Sequence, residues 1–407
     1  MGPVAQTARP VKGPTPRRLK QFVRQRLGLA SYLKAPGDGR LYPQIPAGYL
    51  LWAQLVCYVL RAWAFHAMES LVNLAPFALG LGHGFGNDAL GYFTERMDPA
   101  TTRTALISVL RHTKRNKGFE GSRWIGFALD GTTVGHCTKK GCSLCRPHFD
   151  KKHCIRGYNH ALSMIAVVGT ALSLPFDVEP YGPGDSEYAA SQRLLSRAVA
   201  SLGRRFADYV VADGAYATAP FLHTASDLGL RVVARLKGNL PELFAQAKTR
   251  LASQPPTAIF EEDGERVELW DADDFDPWDA LCWPTVRVLR YRQQKSNGTV
   301  IEAYWLTNFT VHQVNSQGLY RIAKSRWEIE NQGFNDTKNR YGLKHIAHHH
   351  ENSLLMGWLL ICLAVTIERL YRLRFLHRGV HPIYTAIELV RRLWFNMGRV
   401  SWGYNTS

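Results

Sequence analysis

The order of hydrophobic patterns between Trp124 and Lys237 constrains the fold more than any other feature of the chain. "WIGFALDG" (Trp124–Gly131) is an apolar run of strand length that closes on Asp-Gly. "YNHALSMIAVVG" (Tyr158–Gly169) and "TALSLPFDVEPY" (Thr170–Tyr181) read as two strands of a hairpin. A helix over about 186–202 follows, with Asp185 or Ser186 as its N-cap. "DYVVADGAY" (Asp208–Tyr216) is a second apolar strand closing on Asp-Gly, followed by a helix over about 219–228 and the strand "LRVVARLK". The order β, β, β, α, β, α, β belongs to an α/β domain with a mixed sheet.

The flanks differ. Residues 46–120 are helical in pattern, with apolar runs such as "YLLWAQLVCYVLRAWAFHAMESLV" and a short helix over "TTRTALISVLRHTKR". Residues 239–315 interrupt the α/β pattern with "EEDGERVELWDADDFD" and two strand-like runs joined by "KSNG", a β-rich insertion whose Trp270, Trp278, Trp283 and Trp305 are read as core. A helix covers "SRWEIENQGFNDTKNRYGLKH" (Ser325–His345), and an apolar helix covers 352–371. The most apolar window, Leu354–Ile367, has 14 residues. Crossing a bilayer takes roughly 20, so a buried helix and no membrane partner are expected. No export signal is read at the N-terminus, and a cytoplasmic, nucleoid-associated location is expected. The expected divisions are a basic arm and helical DNA-binding region (1–118), a core in two parts (119–238, with a Cys-rich loop at 136–154, and 316–375), the insertion (239–315) and a tail (376–407).

Charge narrows the partner. Fifty Lys and Arg stand against 33 Asp and Glu, a net of +17. Residues 1–40 carry nine basic side chains (Arg9, Lys12, Arg17, Arg18, Lys20, Arg24, Arg26, Lys34, Arg40) and one acid, Asp38. A second group lies at Arg369, Arg372, Arg374, Arg378, Arg391 and Arg392. Such an excess favours a polyanion, most often nucleic acid. Residues 1–45, rich in Pro, Gly and Arg, are expected to be poorly ordered before they meet that partner.

Three carboxylates stand out. Asp130 and Asp213 each end an apolar strand, and in a sheet with both strands parallel they project from one edge. Either Asp-Gly alone is ordinary turn chemistry. Glu330 lies on the Ser325–His345 helix on the side of Arg326, Trp327, Phe334 and Tyr341. A carboxylate among aromatics needs a cation; Arg326, one turn back, is one candidate, and a divalent ion shared with Asp130 and Asp213 is another. Converging anions repel unless metal joins them, and carboxylate oxygens suit Mg²⁺ or Mn²⁺. Glu328 is a rival on the opposite side of the helix.

These residues resemble the DDE transposases of bacterial insertion sequences. "ALDGT" with Asp130, "VADGAY" with Asp213 and "RWEIENQGFNDTK" with Glu330 carry the resemblance over about residues 120–370. It implies an RNase H-like mixed sheet with flanking helices, interrupted by a β-rich insertion before the Glu and preceded by a helical N-terminal region. It implies Asp130, Asp213 and Glu330 as catalytic metal ligands and two-metal cleavage of element ends, with joining of the 3′-hydroxyl to target DNA. The implied partner is double-stranded DNA, met as a homodimer or higher assembly on paired ends. Arg326, Lys338, Asn331 and Tyr341 are the implied DNA contacts. The Glu-to-Lys spacing is one residue longer than the commonest family form, and Ala323 stands where a Tyr is frequent. A nuclease that only hydrolyses, or an inactive DNA-binding regulator, would share much of this pattern.

Four of the seven cysteines fall within 18 residues: Cys137, Cys142, Cys145 and Cys154. They have the elements of a structural Zn²⁺ site, though the spacing matches no standard finger, and a loop of reduced thiols is equally open. The histidines of "HIAHHHENS" (His345, His348, His349, His350) are read as DNA contacts or caps rather than metal ligands.

Overall fold

The computed structural model describes residues 13–376 and 382–402; Arg9, Lys12 and Arg378 lie outside them. In chain order the elements are α1 (Pro16–Gln25), α2 (Ala30–Lys34), α3 (Ala47–Val59), α4 (Phe65–Leu74), α5 (Pro76–Leu79), α6 (Asn87–Arg96), α7 (Pro99–Arg115), β1 (Gly126–Cys137), β2 (Arg146–Phe149), β3 (Ile155–Val168), β4 (Leu174–Pro180), α8 (Glu187–Leu202), β5 (Tyr209–Ala212), α9 (Ala219–Asp227), β6 (Arg231–Leu236) and α10 (Pro241–Ala252). Then come β7 (Ala258–Glu262), β8 (Glu265–Phe275), β9 (Val286–Gln294), β10 (Val300–Thr307), α11 (Ser316–Lys324), α12 (Arg326–Glu328), a π-helical turn (Ile329–Asn335), α13 (Asp336–Arg340), α14 (Glu351–Leu376) and α15 (Ala386–Trp402).

The chain forms two compact units. One comprises residues 117–133 and 161–334; the other comprises 1–116, 134–160 and 335–407.

In the first unit the strands lie in the order β4-β3-β1-β5-β6-β10-β9-β8-β7. β3 and β4 are antiparallel, while β1, β5 and β6 are parallel. The first five strands, taken by sequence rank, give the order 3-2-1-4-5 of an RNase H-like sheet. Parallel neighbours need a crossover, and α8 and α9 supply the helices between β4 and β5 and between β5 and β6. Ser186 caps α8 by accepting from the Ala189 N–H at 3.1 Å. β5 is buried along its whole length, as a central parallel strand is expected to be. The insertion continues the same sheet: β10 pairs antiparallel with β6, and β9, β8 and β7 follow as a meander. Its centre holds an ion pair, Arg287–Asp271 at 2.5 Å, with both side chains 2% exposed. Trp270 and Trp305 are buried, as the core reading requires, whereas Trp278 and Trp283 are only half-buried, so for these two the core reading is corrected. Helix α10 is an element of the insertion that the sequence pattern did not anticipate.

The second unit is mainly helical. Its core is α14, packed against α3, α6 and α7. By length and composition alone α14 could cross a membrane, but most of its apolar stretch is buried inside the unit. The reading of 1–45 as poorly ordered is corrected from residue 13 onward. Thr15 caps α1 with Pro16 at its first turn, and Leu19, Phe22 and Val23 bury one face. The C-terminal basic group is partly internal: Arg369 is buried and donates to Asp336 at 2.9 Å, and Arg392 to Glu388 at 2.5 Å.

Candidate active site

Parallel register sets the first two carboxylates side by side. Ala128 stands opposite Val211 in the β1–β5 pair, so the next two steps bring Asp130 level with Asp213 at the same sheet edge. Asp130-Gly131 is no turn here, for β1 runs on to Cys137. Gly131 allows a close approach instead: a Cβ there would lie 2.0 Å from the Glu187 carboxyl carbon and would displace that side chain. Gly214 opens a 3₁₀ turn, and Asp213 leaves the sheet just before it.

Glu330 comes from the π turn after α12. Its Oε1 accepts from Arg326 Nη1 at 2.7 Å, and the same nitrogen is 3.8 Å from Asp130 Oδ2. Arg326 is buried, so one guanidinium serves two carboxylates of the site. Asp213 is held by Lys237 Nζ at 2.9 and 3.1 Å and also lies in the field of Arg326. Glu330 thus has a cationic partner within its own helix, and its side chain is 40% exposed rather than sealed among aromatics. Among the described residues the three carboxylates do not close into one tight set of ligand atoms; the cations Arg326 and Lys237 stand between and beside them.

Their electrostatics diverge. Burial pushes Asp130 up to about 6, with Glu187 and Glu330 adding to the rise against the Arg326 guanidinium and the Gly131 N–H. Burial also acts upward on Asp213, but the Lys237 ammonium and the Gly214 N–H outweigh it and hold the carboxyl below its usual range. An oxygen-only donor set with a raised carboxyl, in which a guanidinium and an ammonium already take the cationic positions, fits a hard divalent ion such as Mg²⁺ or Mn²⁺.

Glu187, in the first turn of α8, was not singled out by sequence. It sits against Gly131 and accepts from Tyr216 at 2.7 Å, in a buried hydroxyl chain that continues through Ser191 to Ser163. Lys237 was also missed. The signal available was position alone: it directly follows β6, next to the Asp213 strand end. The rival Glu328 is engaged elsewhere, accepting from the Gly169 N–H at 3.3 and 3.2 Å.

The helix carrying Glu330 departs from α geometry over Ile329–Asn335. A π turn accommodates one extra residue in a helix and often marks a functional site. This accounts for the extra residue between Glu330 and Lys338. Asn331 is exposed on the same turn, and Lys338 is half-buried on α13. Tyr341 is corrected as a DNA contact. It is buried in the second unit, where its hydroxyl donates to Glu368 and its ring lies 3.8 Å from the Arg61 guanidinium. The helix ends before it, so its alignment with Glu330 by periodicity does not hold.

Residues 125–367 match the family described as the transposase DDE domain, a span of more than half the chain. The chain belongs to the DDE transposase family. No curated relative matches it. Among solved structures it is similar to a piggyBac transposase, in a cryo-EM structure titled as a synaptic complex with hairpin DNA. The identity is 10% and the TM-score 0.47, over 97% of this chain and 83% of the other.

The cysteines assort differently from the sequence reading. Cys142, Cys145, His160 and His349 bring their ligand atoms within 4.8 Å of one another. Cys154 is exposed, its thiol 3.8 Å from the Lys152 carbonyl; the Cys137 thiol donates to the Tyr158 carbonyl at 3.5 Å and also interacts with the Cys145 thiol, but it lies outside the four-atom group. The four-cysteine set is therefore corrected, and His349 leaves the group read as DNA contacts. His348 is paired with Glu95 at 2.6 Å.

Proposed function

We propose that this DDE-family protein is a DNA transposase that cuts the ends of its element and joins the freed 3′-hydroxyl to target DNA. Asp130, Asp213 and Glu330 are its proposed catalytic carboxylates. The observation that carries the reading is the pairing of Asp130 with Asp213 by β1–β5 register, with Glu330 tied to Asp130 through Arg326. The three carboxylates would hold Mg²⁺ or Mn²⁺, and a pair of such ions supplies Lewis-acid activation of the attacking oxygen and stabilisation of the leaving one.

The chain's own residues do the positioning. Arg326 keeps Glu330 and Asp130 turned toward one point, and Glu187 packs behind Asp130. Asn331 is proposed to hold DNA near the scissile phosphate, and Lys338 is proposed to contact a DNA phosphate as a point charge. The basic helical region up to residue 118 is proposed to bind the element's terminal repeats, with assembly on paired ends and action wherever the cell keeps its DNA.

The test incubates purified protein with labelled duplexes carrying the sequences that flank its coding region, a target plasmid and Mn²⁺, beside Glu330→Gln. Joined product from the wild type alone is expected. Cleavage without joining would turn the reading to a hydrolytic nuclease. Binding without metal-dependent chemistry in either protein would turn it to a DNA-binding regulator.

A further inference from the structure

We propose that Cys142, Cys145, His160 and His349 bind one structural Zn²⁺ ion, a site separate from the carboxylates and independent of the transposase reading. All four lie in the second unit. Around a tetrahedral Zn²⁺ with sulfur at about 2.3 Å and nitrogen at about 2.0 Å, two sulfurs lie roughly 3.8 Å apart and a sulfur and a nitrogen roughly 3.5 Å. The two thiols are 3.7 Å apart, and His160 Nε2 lies 3.2 Å from Cys142 Sγ and 3.5 Å from Cys145 Sγ. Three edges of the tetrahedron are thus already set, and His349 supplies the fourth corner.

The surroundings favour a bound metal over a plain thiol loop. His160 is wholly buried, and its Nδ1 has no hydrogen-bond partner, so Nε2, aimed at both sulfurs, is the one ring nitrogen with polar neighbours. The Gly141 N–H donates to Cys145 Sγ at 3.4 Å, while the Cys145 N–H closes a tight turn onto the Cys142 carbonyl at 3.3 Å. Gly141 carries no Cβ where one would lie 2.6 Å from the His349 ring. Two thiolates also cancel the charge of Zn²⁺, so the closed site is neutral beside buried residues; binding releases the two thiol protons to solvent.

Four protein ligands leave no open position, which marks a structural rather than catalytic ion. The ion joins the Cys142–Cys145 turn and β3 to the segment before α14, whose first residue, Glu351, already accepts from the Ser143 N–H at 2.8 Å. It thereby fixes the base of a loop that carries Lys139, Lys140, Lys151 and Lys152.

The experiment is elemental analysis of the purified full-length chain after dialysis into metal-free buffer, paired with Co²⁺ substitution. One zinc per chain is expected, with a thiolate-to-Co²⁺ charge-transfer band and the visible bands of a tetrahedral ion. His349→Ala and Cys142→Ser should retain metal at least tenfold less tightly, while Cys154→Ser and Cys137→Ser keep it. Should the first pair fail to fold, thiol titration of the wild type decides: two thiols should become reactive only after a chelator is added. No bound zinc with no charge-transfer band, a Cys142–Cys145 disulfide in the reduced preparation, or loss of metal in Cys154→Ser equal to that in Cys142→Ser would each overturn the assignment.

Discussion

Arg326 donates to Glu330 Oε1 at 2.7 Å from a helix that opens into a π turn immediately after it. The same guanidinium nitrogen faces Asp130 at 3.8 Å. Removing it leaves two carboxylates near each other with no shared counter-charge. Losing one partner of a buried pair costs about 3–5 kcal/mol; the partial exposure of Glu330 lowers the expected cost of Arg326→Gln to roughly 2 kcal/mol. Mn²⁺ should restore much of that, because a divalent ion takes over the compensation. Urea unfolding of both proteins in EDTA and in Mn²⁺ checks this, and a loss that Mn²⁺ leaves untouched would separate Arg326 from any metal-binding role.

Asp130 gives the site a pH dependence with a definite sign. Its carboxyl is raised from 3.8 to about 6 in the folded chain, so the folded state takes up a proton more readily than the unfolded one. The resulting destabilisation is fully present above about pH 6 and is relieved as pH falls toward the ordinary value near 4. At 1.36 kcal/mol per unit it is on the order of 3 kcal/mol. In EDTA, the stability difference between Asp130→Asn and wild type should therefore favour the variant at pH 7.5 and vanish near pH 4. Divalent metal should stabilise the wild type more at pH 7.5 than at pH 5. Denaturation curves across that range provide the measurement.

The two acids of "RWEIEN" should separate cleanly. Glu328 accepts from the Gly169 N–H, whereas Glu330 faces Arg326. Glu328→Gln can keep its acceptor and should retain strand transfer within a few fold, with a stability change under about 1.5 kcal/mol. Glu330→Gln should lose at least about a hundredfold, the equivalent of roughly 3 kcal/mol of transition-state stabilisation. Single-turnover rates on labelled end DNA distinguish them, and equal losses would reopen the assignment of the third acid.

What the sequence could and could not disclose follows from where each signal resides. Strands β1, β5 and β6 were legible because buried parallel strands are written as unbroken apolar runs, and the first crossover helix, α8, carries an ordinary Ser186 cap. Asp130 and Asp213 were legible once parallel register was assumed. Helix α10 was hidden inside a segment whose acidic and β-branched runs dominate the pattern. Glu187 and Lys237 were hidden because ordinary charged residues near element ends look like solvated surface until the sheet brings them to Asp130 and Asp213. Tyr341 was misplaced by carrying a 3.6-residue period through a π turn and past the helix end at Arg340. The cysteine group was misdrawn because two of its ligands, His160 and His349, lie on β3 and before α14, where linear spacing has nothing to say.

Tyr341 yields a stability effect without a DNA effect. Its hydroxyl donates to Glu368, which is also bonded to Arg61 at 2.5 Å, and all three belong to one unit. Tyr341→Phe removes one donor from a buried carboxylate and should cost about 1–2 kcal/mol, while the ring contact with Arg61 survives. End-DNA affinity should stay within twofold. A tenfold loss of affinity at unchanged stability would return Tyr341 to the DNA surface.

The basic helical region offers a test of DNA binding that leaves the carboxylates alone. Lys20, Arg24, Lys34 and Tyr49 line an open cleft formed by α1, α2 and α3. Lys20 is used in part to donate to the Gly80 carbonyl at 2.7 Å, but Arg24 and Lys34 present their charges at an exposed rim. If that rim contacts phosphates, each contact releases counterions, and the affinity depends on salt accordingly. Arg24→Ala with Lys34→Ala should weaken end-DNA binding and reduce the slope of log K against log salt by about 2, uniformly across sequences. Titrations at several salt concentrations give the slope directly. An unchanged slope would move the DNA path elsewhere on the chain, whereas a reduced slope with strand transfer intact at saturating DNA would assign this cleft to holding the duplex rather than cutting it.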